Sequence, residues 1–271
     1  MTFTAACLQV NAPREPEAAI AAACDLARRA RDAGADFILM PENVAMMEPV
    51  HARLRDKAQG ESGHAALGAF RDLARETGAW LLAGSLHILL AGGKVANRSF
   101  LIDPQGGIAA RYDKLHMFDV DLDGGESYRE SAVFHAGAKA VLADLPWGRL
   151  GLSICYDLRF AYLYRALAQA GADFLAVPAA FTRQTGQAHW HVLLRARAIE
   201  TGCYVLAPAQ CGTHAEGRQT FGHSLIVDPW GRVLADGGEE PGFVMAEIDP
   251  AEVAAARQKI PALRHDRAIE F

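Results

Sequence analysis

The sequence predicts an α/β fold made of two similar halves. Three observations point there. Short apolar segments bounded by Gly and Pro alternate with longer Ala/Arg/Glu-rich helical patterns, that rhythm occurs twice, and each half carries a closely similar strand-turn-strand unit. With 271 residues and 51% apolar content, the chain is long enough to bury a large core, and one domain spanning 1–271 is expected.

In chain order, Phe3 to Val10 reads as a strand, Pro16 to Ala33 as a helix ended by Gly34, and Asp36 to Met40 as a second strand. Gly63 to Thr77 has a helical pattern, and Ala79 to His87 is apolar enough for a buried strand. The second half repeats the order. Leu150 to Ile154 is a strand, Ala161 to Ala170 a helix, Asp173 to Val177 a strand, Ala188 to Thr201 a helix, and Cys203 to Ala207 a strand. The recurring units are SFLIDPQGGI from Ser99 and SLIVDPWGRV from Ser224, each a strand, a DPxG turn and a return strand. One hairpin in each half suggests two sheets packed face to face with helices outside. The tail from Ile260 to Phe271 is read as an arm or a contact with another subunit.

Composition excludes several classes. The formal charge is −5, and the 27 basic residues are scattered, so a nucleic-acid partner is not expected. MTFTAACLQV lacks a basic start and cleavage site and reads as the first strand, not as a secretion signal. The longest uncharged stretch, Ala79 to Gly93, is interrupted by Ser85, His87 and glycines, so no membrane span is expected. Five cysteines with no CxxC pair fit reduced thiols in a cytoplasm. The ten histidines show no HExxH, and neither a metal nor a cofactor is expected, although ligands brought together from distant segments would escape such a reading.

Three positions carry chemistry by their setting. Cys155 follows the apolar run GLSI and precedes a helical pattern, which places it on a strand-to-helix turn where the thiol is exposed and a helix N-terminus favours thiolate. Glu42, in LMPEN, directly follows a strand, at the edge where α/β folds hold ligands. Lys114 closes the return strand of the first hairpin. Taken singly, a cysteine is most often a small buried hydrophobe, and acids and lysines mostly face solvent. Together, a carboxylate, a fixed cation and a thiol are the parts needed to attack an amide carbonyl and stabilise its oxyanion.

The segments LMPEN, RYDKLHMFD and GLSICYDLRF, in this order and at these separations, resemble the three signature segments of the nitrilase superfamily of carbon-nitrogen hydrolases. The resemblance covers nearly the whole chain. It implies a four-layer α-β-β-α sandwich assembled as a homodimer or larger homo-oligomer. It also implies Glu42 as general base, Lys114 as stabiliser of the tetrahedral intermediate and Cys155 as nucleophile, with Glu130 as a second glutamate that orients Lys114. On that scheme Cys155 attacks the carbonyl carbon, Lys114 and a backbone N–H, that of Tyr156, hold the oxyanion, and a thioester is released by water.

Within the superfamily, AFTRQTGQAHW from Ala180 and the LLRARAIE that follows resemble the Nit amidase branch, particularly the deaminated glutathione amidases. The ω-amidases that act on α-ketoglutaramate are the alternative. Either substrate is a small carboxylate-bearing amide, and Tyr156, Arg159, Phe181, Thr182 and Arg183 are expected to bind it. His189 and Trp190 are divided between packing and lining the site. A cysteine phosphatase would need an arginine where Ala161 stands, and no papain-like signature surrounds Cys155. An inert scaffold of the same fold is the non-enzyme alternative.

Overall fold

The computed structural model describes residues 1–122 and 127–270. The first part of the chain runs β1 (Phe3–Val10), α1 (Pro16–Asp32), β2 (Phe37–Leu39), α2 (His51–Lys57), α3 (Ala65–Thr77), β3 (Trp80–Leu89), β4 (Val95–Ile102) and β5 (Ile108–Asp113). A short ribbon follows, β6 (Asp119–Asp121) and β7 (Ser127–Arg129). The second part holds β8 (Leu142–Leu145), β9 (Gly148–Leu152), α4 (Ala161–Gln169), β10 (Phe174–Ala176), α5 (Arg183–Thr201) and β11 (Tyr204–Ala207). It closes with β12 (Ala209–Thr213), β13 (Gln219–Phe221), β14 (Leu225–Val227), β15 (Val233–Asp236), β16 (Gly242–Ile248) and α6 (Ala251–Lys259).

The described strands form two main sheets. One has the order β13-β12-β1-β2-β3-β4-β5, with β16 antiparallel to β1, and the other β15-β14-β11-β10-β9-β8. Phe3, Cys7, Phe37, Leu39 and Leu82 from the first sheet share a core with Leu150, Leu152, Phe174, Ala176 and Val205 from the second. The opposite face of the first sheet packs on α1 and α3, and α4 and α5 cover the second. The layers are therefore α-β-β-α. Sheets covered on both faces need apolar residues at every position, which is why β2 (FIL), β10 (FLA) and β14 (LIV) are buried throughout instead of alternating.

Local signals set the element ends. Pro16 opens α1, where its missing N–H costs no helix bond, and α3 stops at Gly78, whose φ of +62° suits a residue without a Cβ. The two DPxG turns use the same device: Asp103 Oδ1 accepts from the N–H groups of Gln105 and Gly107, and Asp228 Oδ1 from those of Trp230 and Arg232. Most expected elements shift by a residue or two, but α5 starts at Arg183 instead of Ala188. Thr182 caps it, its Oγ1 accepting from Thr185 N–H at 3.3 Å. A Cβ at Gly186, in the first turn, would lie 2.3 Å from Phe221, so the glycine permits close packing of helix on hairpin. His189 and Trp190 consequently lie inside the helix. The tail folds back on its own chain, where Asp266 accepts from Arg165 and from Gln169 Nε2, the latter at 2.6 Å. Phe271 of the tail lies outside the described residues.

Gly84 in β3 sits against the backbone that leads to Glu42, where a built Cβ would stand 1.9 Å from the Met40 carbonyl oxygen and 2.5 Å from that of Pro41. Gly84→Ala is expected to lower stability by about 2 kcal/mol or more in urea unfolding and to displace the Pro41 to Asn43 turn, visible as lost activity in the folded fraction.

Candidate active site

Glu42 lies just past β2 and is 3% exposed. Both of its carboxylate oxygens are engaged. Oε1 accepts from Lys114 Nζ at 3.0 Å and Asn97 Nδ2 at 2.9 Å, and Oε2 accepts from the Ala180 N–H at 2.9 Å. The backbone is held as firmly: Gln210 Nε2 donates to the Glu42 carbonyl, and the Asn43 N–H, at a positive φ, donates to Ser85 Oγ.

Lys114, at the end of β5, is 2% exposed, against the solvent-facing default for a lysine. Besides Glu42, its ammonium donates to both oxygens of Glu130 at 2.9 Å. Glu130 is fixed in turn by the Phe118 N–H at 2.6 Å. Asn97 on β4 was missed by the sequence reading. Its amide spans the two glutamates, with Glu130 Oε1 at 3.4 Å, and its only signal was the register that brings β4 against β5.

Cys155 opens a 3₁₀ turn, Cys155–Arg159, after β9, and its φ of +49° lies in the left-handed region. A non-glycine residue held there is strained, and a well-bonded surround must impose it. Asp157 provides much of that surround. Fully buried, it accepts from the Ile154 N–H at 2.9 Å, the Tyr112 hydroxyl at 2.6 Å, and the His116 N–H and Nδ1 at 3.0 and 2.6 Å. One carboxylate thus pins the turn bearing Cys155 to the segment bearing Lys114. Arg197, 5% exposed, closes the far end by donating to the Leu158 carbonyl.

Glu42, Lys114, Glu130 and Cys155 all line one cavity of about 980 Å³. Tyr156, Arg159, Phe181, Thr182 and Arg183 line it too. The Arg159 guanidinium stands 5.3 Å from the Phe181 ring centroid and 5.9 Å from that of Tyr156, and its Nη1 meets His189 Nδ1 at 3.2 Å. Thr182 spends its hydroxyl on the α5 cap, and Arg183 is bound to Glu239 at 2.5 Å. Trp190 is packing, 1% exposed with its indole N–H on the His223 carbonyl. His87, not singled out from sequence, also lines the cavity, with its buried Nε2 unpartnered among the described residues. Away from the cavity, the distant segments of His191, His223 and Asp236 converge, each imidazole hydrogen-bonding the carboxylate.

The family described as Carbon-nitrogen hydrolase matches residues 4–258. The chain belongs to that family. Among its relatives, a deaminated glutathione amidase of Synechocystis sp. is 47% identical over 237 residues, 86% of each chain. The NitFhit protein of C. elegans superposes with a TM-score of 0.92 at 38% identity, covering 98% of this chain and 65% of that one, so this chain spans just under two-thirds of NitFhit. A mutant amidase from Nesterenkonia sp., with acrylamide added to its active-site cysteine, is similar at a TM-score of 0.81 and 27% identity, covering 96% of this chain and 98% of that one.

The charges in this carbon-nitrogen hydrolase follow from burial and pairing. Burial alone would raise Glu42, but the Lys114 charge and hydrogen bonds from Cys155, Lys114 and Asn97 hold its carboxyl below the usual range. Burial opposes the Lys114 ammonium, and Glu130 and Glu42 more than reverse this, so the lysine stays charged. For Cys155 the sequence expectation fails. Burial, then the Glu42 carboxylate, push the thiol well above its ordinary value, and Lys114 only partly offsets them. The five-residue turn does not overcome desolvation and a carboxylate neighbour, so the resting sulfur is a neutral thiol, 9% exposed. Desolvation also drives His87 down to about 4, leaving it neutral at pH 7.

Two outcomes follow. Iodoacetamide should modify Cys155 more slowly at pH 7 than it modifies a free thiol of pKa about 8.5, and the rate should still be climbing above pH 9 in peptide mapping; a plateau near neutrality would contradict a neutral resting thiol. Asp157→Ala strands four donors and should cost about 3 kcal/mol or more in urea unfolding.

Proposed function

We propose that this carbon-nitrogen hydrolase cleaves the amide of deaminated glutathione, with Cys155 as nucleophile, Glu42 as general base and acid, and Lys114 as oxyanion stabiliser. One observation carries the reading: a single buried carboxylate, Glu42, bonds the Lys114 ammonium and faces the Cys155 thiol inside one cavity. Because the resting thiol is neutral, the proton passes from sulfur to Glu42 as the S–C bond forms, not beforehand. The oxyanion is held by Lys114 Nζ and by the Tyr156 N–H, a first-turn donor of the kind that lacks an intrahelical acceptor. Glu42 then protonates the departing nitrogen. For deaminated glutathione this is the amine of the peptide, whereas α-ketoglutaramate would release ammonia. Water enters, Glu42 takes its proton, and the thioester breaks to free acid and thiol.

Glu130 orients Lys114 by accepting from its ammonium through both carboxylate oxygens, an arrangement that one shared proton can satisfy, and Arg159, stacked beside the Cys155 turn with no carboxylate partner among the described residues, receives the oxo-acid carboxylate. The Synechocystis relative's name supports the substrate assignment. The five free cysteines support a reducing cytoplasm, and no described helix is long and apolar enough to cross a membrane. Tyr162, Val192 and Ile199, exposed on the outer helices, support assembly as a homo-oligomer.

The test compares product release from deaminated glutathione, α-ketoglutaramate and a simple aliphatic amide. A kcat/KM at least about 10-fold higher for deaminated glutathione is expected, with Cys155→Ala reducing turnover by about 1000-fold or more. Equal rates on all three would overturn the substrate, and an active Cys155→Ala would overturn the mechanism.

A further inference from the structure

Four guanidinium groups line the cavity, those of Arg129, Arg159, Arg183 and Arg218. Two are neutralised within the protein, Arg129 by Asp121 at 2.7 Å and Arg183 by Glu239. Arg159 and Arg218 have no carboxylate partner among the described residues. The acid nearest to Arg218 in sequence, Glu216, is instead taken by Arg14 at 2.7 Å and Arg53 at 3.2 Å. Arg218 is half-buried, with its Nη2 on the Ala180 carbonyl at 3.3 Å and its guanidinium 5.3 Å from the Tyr128 ring centroid. Its Nε is buried and has no hydrogen-bond partner among the described residues. A buried donor without an acceptor is uncommon in a finished fold, and here it belongs to a cation facing a binding cavity.

We infer that Arg218 forms a second carboxylate subsite, which takes the terminal carboxylate of the leaving group; the inference rests on the function proposed above. Ala180 sets its place. The N–H of that residue holds Glu42 Oε2 and its carbonyl holds Arg218, so the guanidinium stands one residue beyond the proposed acid that protonates the leaving nitrogen. In deaminated glutathione two residues, at most about 7 Å when extended, separate that nitrogen from the glycine carboxylate. A planar guanidinium with free donors suits a carboxylate at the end of such a reach. With Arg159 on the oxo-acid end, the cavity then offers two uncompensated cations to a dianion, whereas a ligand with one carboxylate engages only one of them.

The test separates this inference from the parent reading by measuring binding apart from turnover. Turnover of deaminated glutathione by the unaltered protein tests the function. The subsite is read by calorimetry on Cys155→Ala, with deaminated glutathione and its glycine carboxamide as ligands, each with and without Arg218→Gln. Removing the ligand carboxylate or the guanidinium should each weaken binding by about 10- to 100-fold, and removing both should do little more than removing one. Arg218→Lys should recover part of the loss for the acid alone. Losses that multiply, or equal weakening of acid and carboxamide by Arg218→Gln, would mean that Arg218 only braces Ala180 and would overturn the subsite. Undiminished binding of the acid to Arg218→Gln would do the same.

Discussion

The buried ion pair between Glu42 and Lys114 is the constraint from which the rest of the site follows. Two charges removed from water are costly unless each is well bonded, and at 2% exposure the Lys114 ammonium must find its acceptors inside the protein. The surrounding chain meets that demand from widely separated places. Asn97 comes from a neighbouring strand, Glu130 from the turn after the short ribbon, the Ala180 N–H from beyond β10, and Gln210 from β12. Asn97 and Gln210 lie in the sheet that carries Glu42 and Lys114, and Ala180 follows a strand of the other, so the charge cluster draws on both sheets and not on one loop.

That cluster also governs the sulfur. The Glu42 carboxylate stands against the sulfur, so a thiolate would place a second negative charge beside it, which the Lys114 ammonium only partly offsets. The site therefore keeps the thiol neutral and places the Glu42 carboxylate against it. The Cys155 backbone is held at a positive φ by Asp157, which bonds the cysteine turn and the lysine segment at once. Position is thereby set before any substrate arrives, and the Glu42 carboxyl is held below its usual range by the Lys114 charge and by hydrogen bonds from Cys155, Lys114 and Asn97.

Much of the architecture was legible because it rests on local rules. The alternation of strand and helix patterns, the glycine stop of α3 and the paired DPxG turns all act within a few residues, and each predicted element appears within a short distance of its expected place. The exception, the early start of α5, is instructive. Gly186 argues against helix by propensity, and only Phe221, 35 positions later in the chain, explains why a glycine stands there. Asn97, Asp157 and Gln210 escaped for the same reason: nothing beside them in sequence distinguishes a buried polar bridge from a solvated side chain.

The sequence alone determined the class of fold, the positions just past strand ends where chemistry collects, and the identity of the acid, the cation and the thiol that meet there, because periodicity and motif order are properties of the chain itself. Protonation state and partnership were decided only by the tertiary structure. Whether a thiol is charged depends on how much water remains and which charges stand beside it, and both are set by segments more than 100 residues apart, as with Glu42 and Cys155. Which arginines keep an uncompensated charge for a ligand was likewise settled by where Glu239, Asp121 and Glu216 come to lie, since a carboxylate supplied by the fold neutralises the guanidinium although some of its five donors stay open.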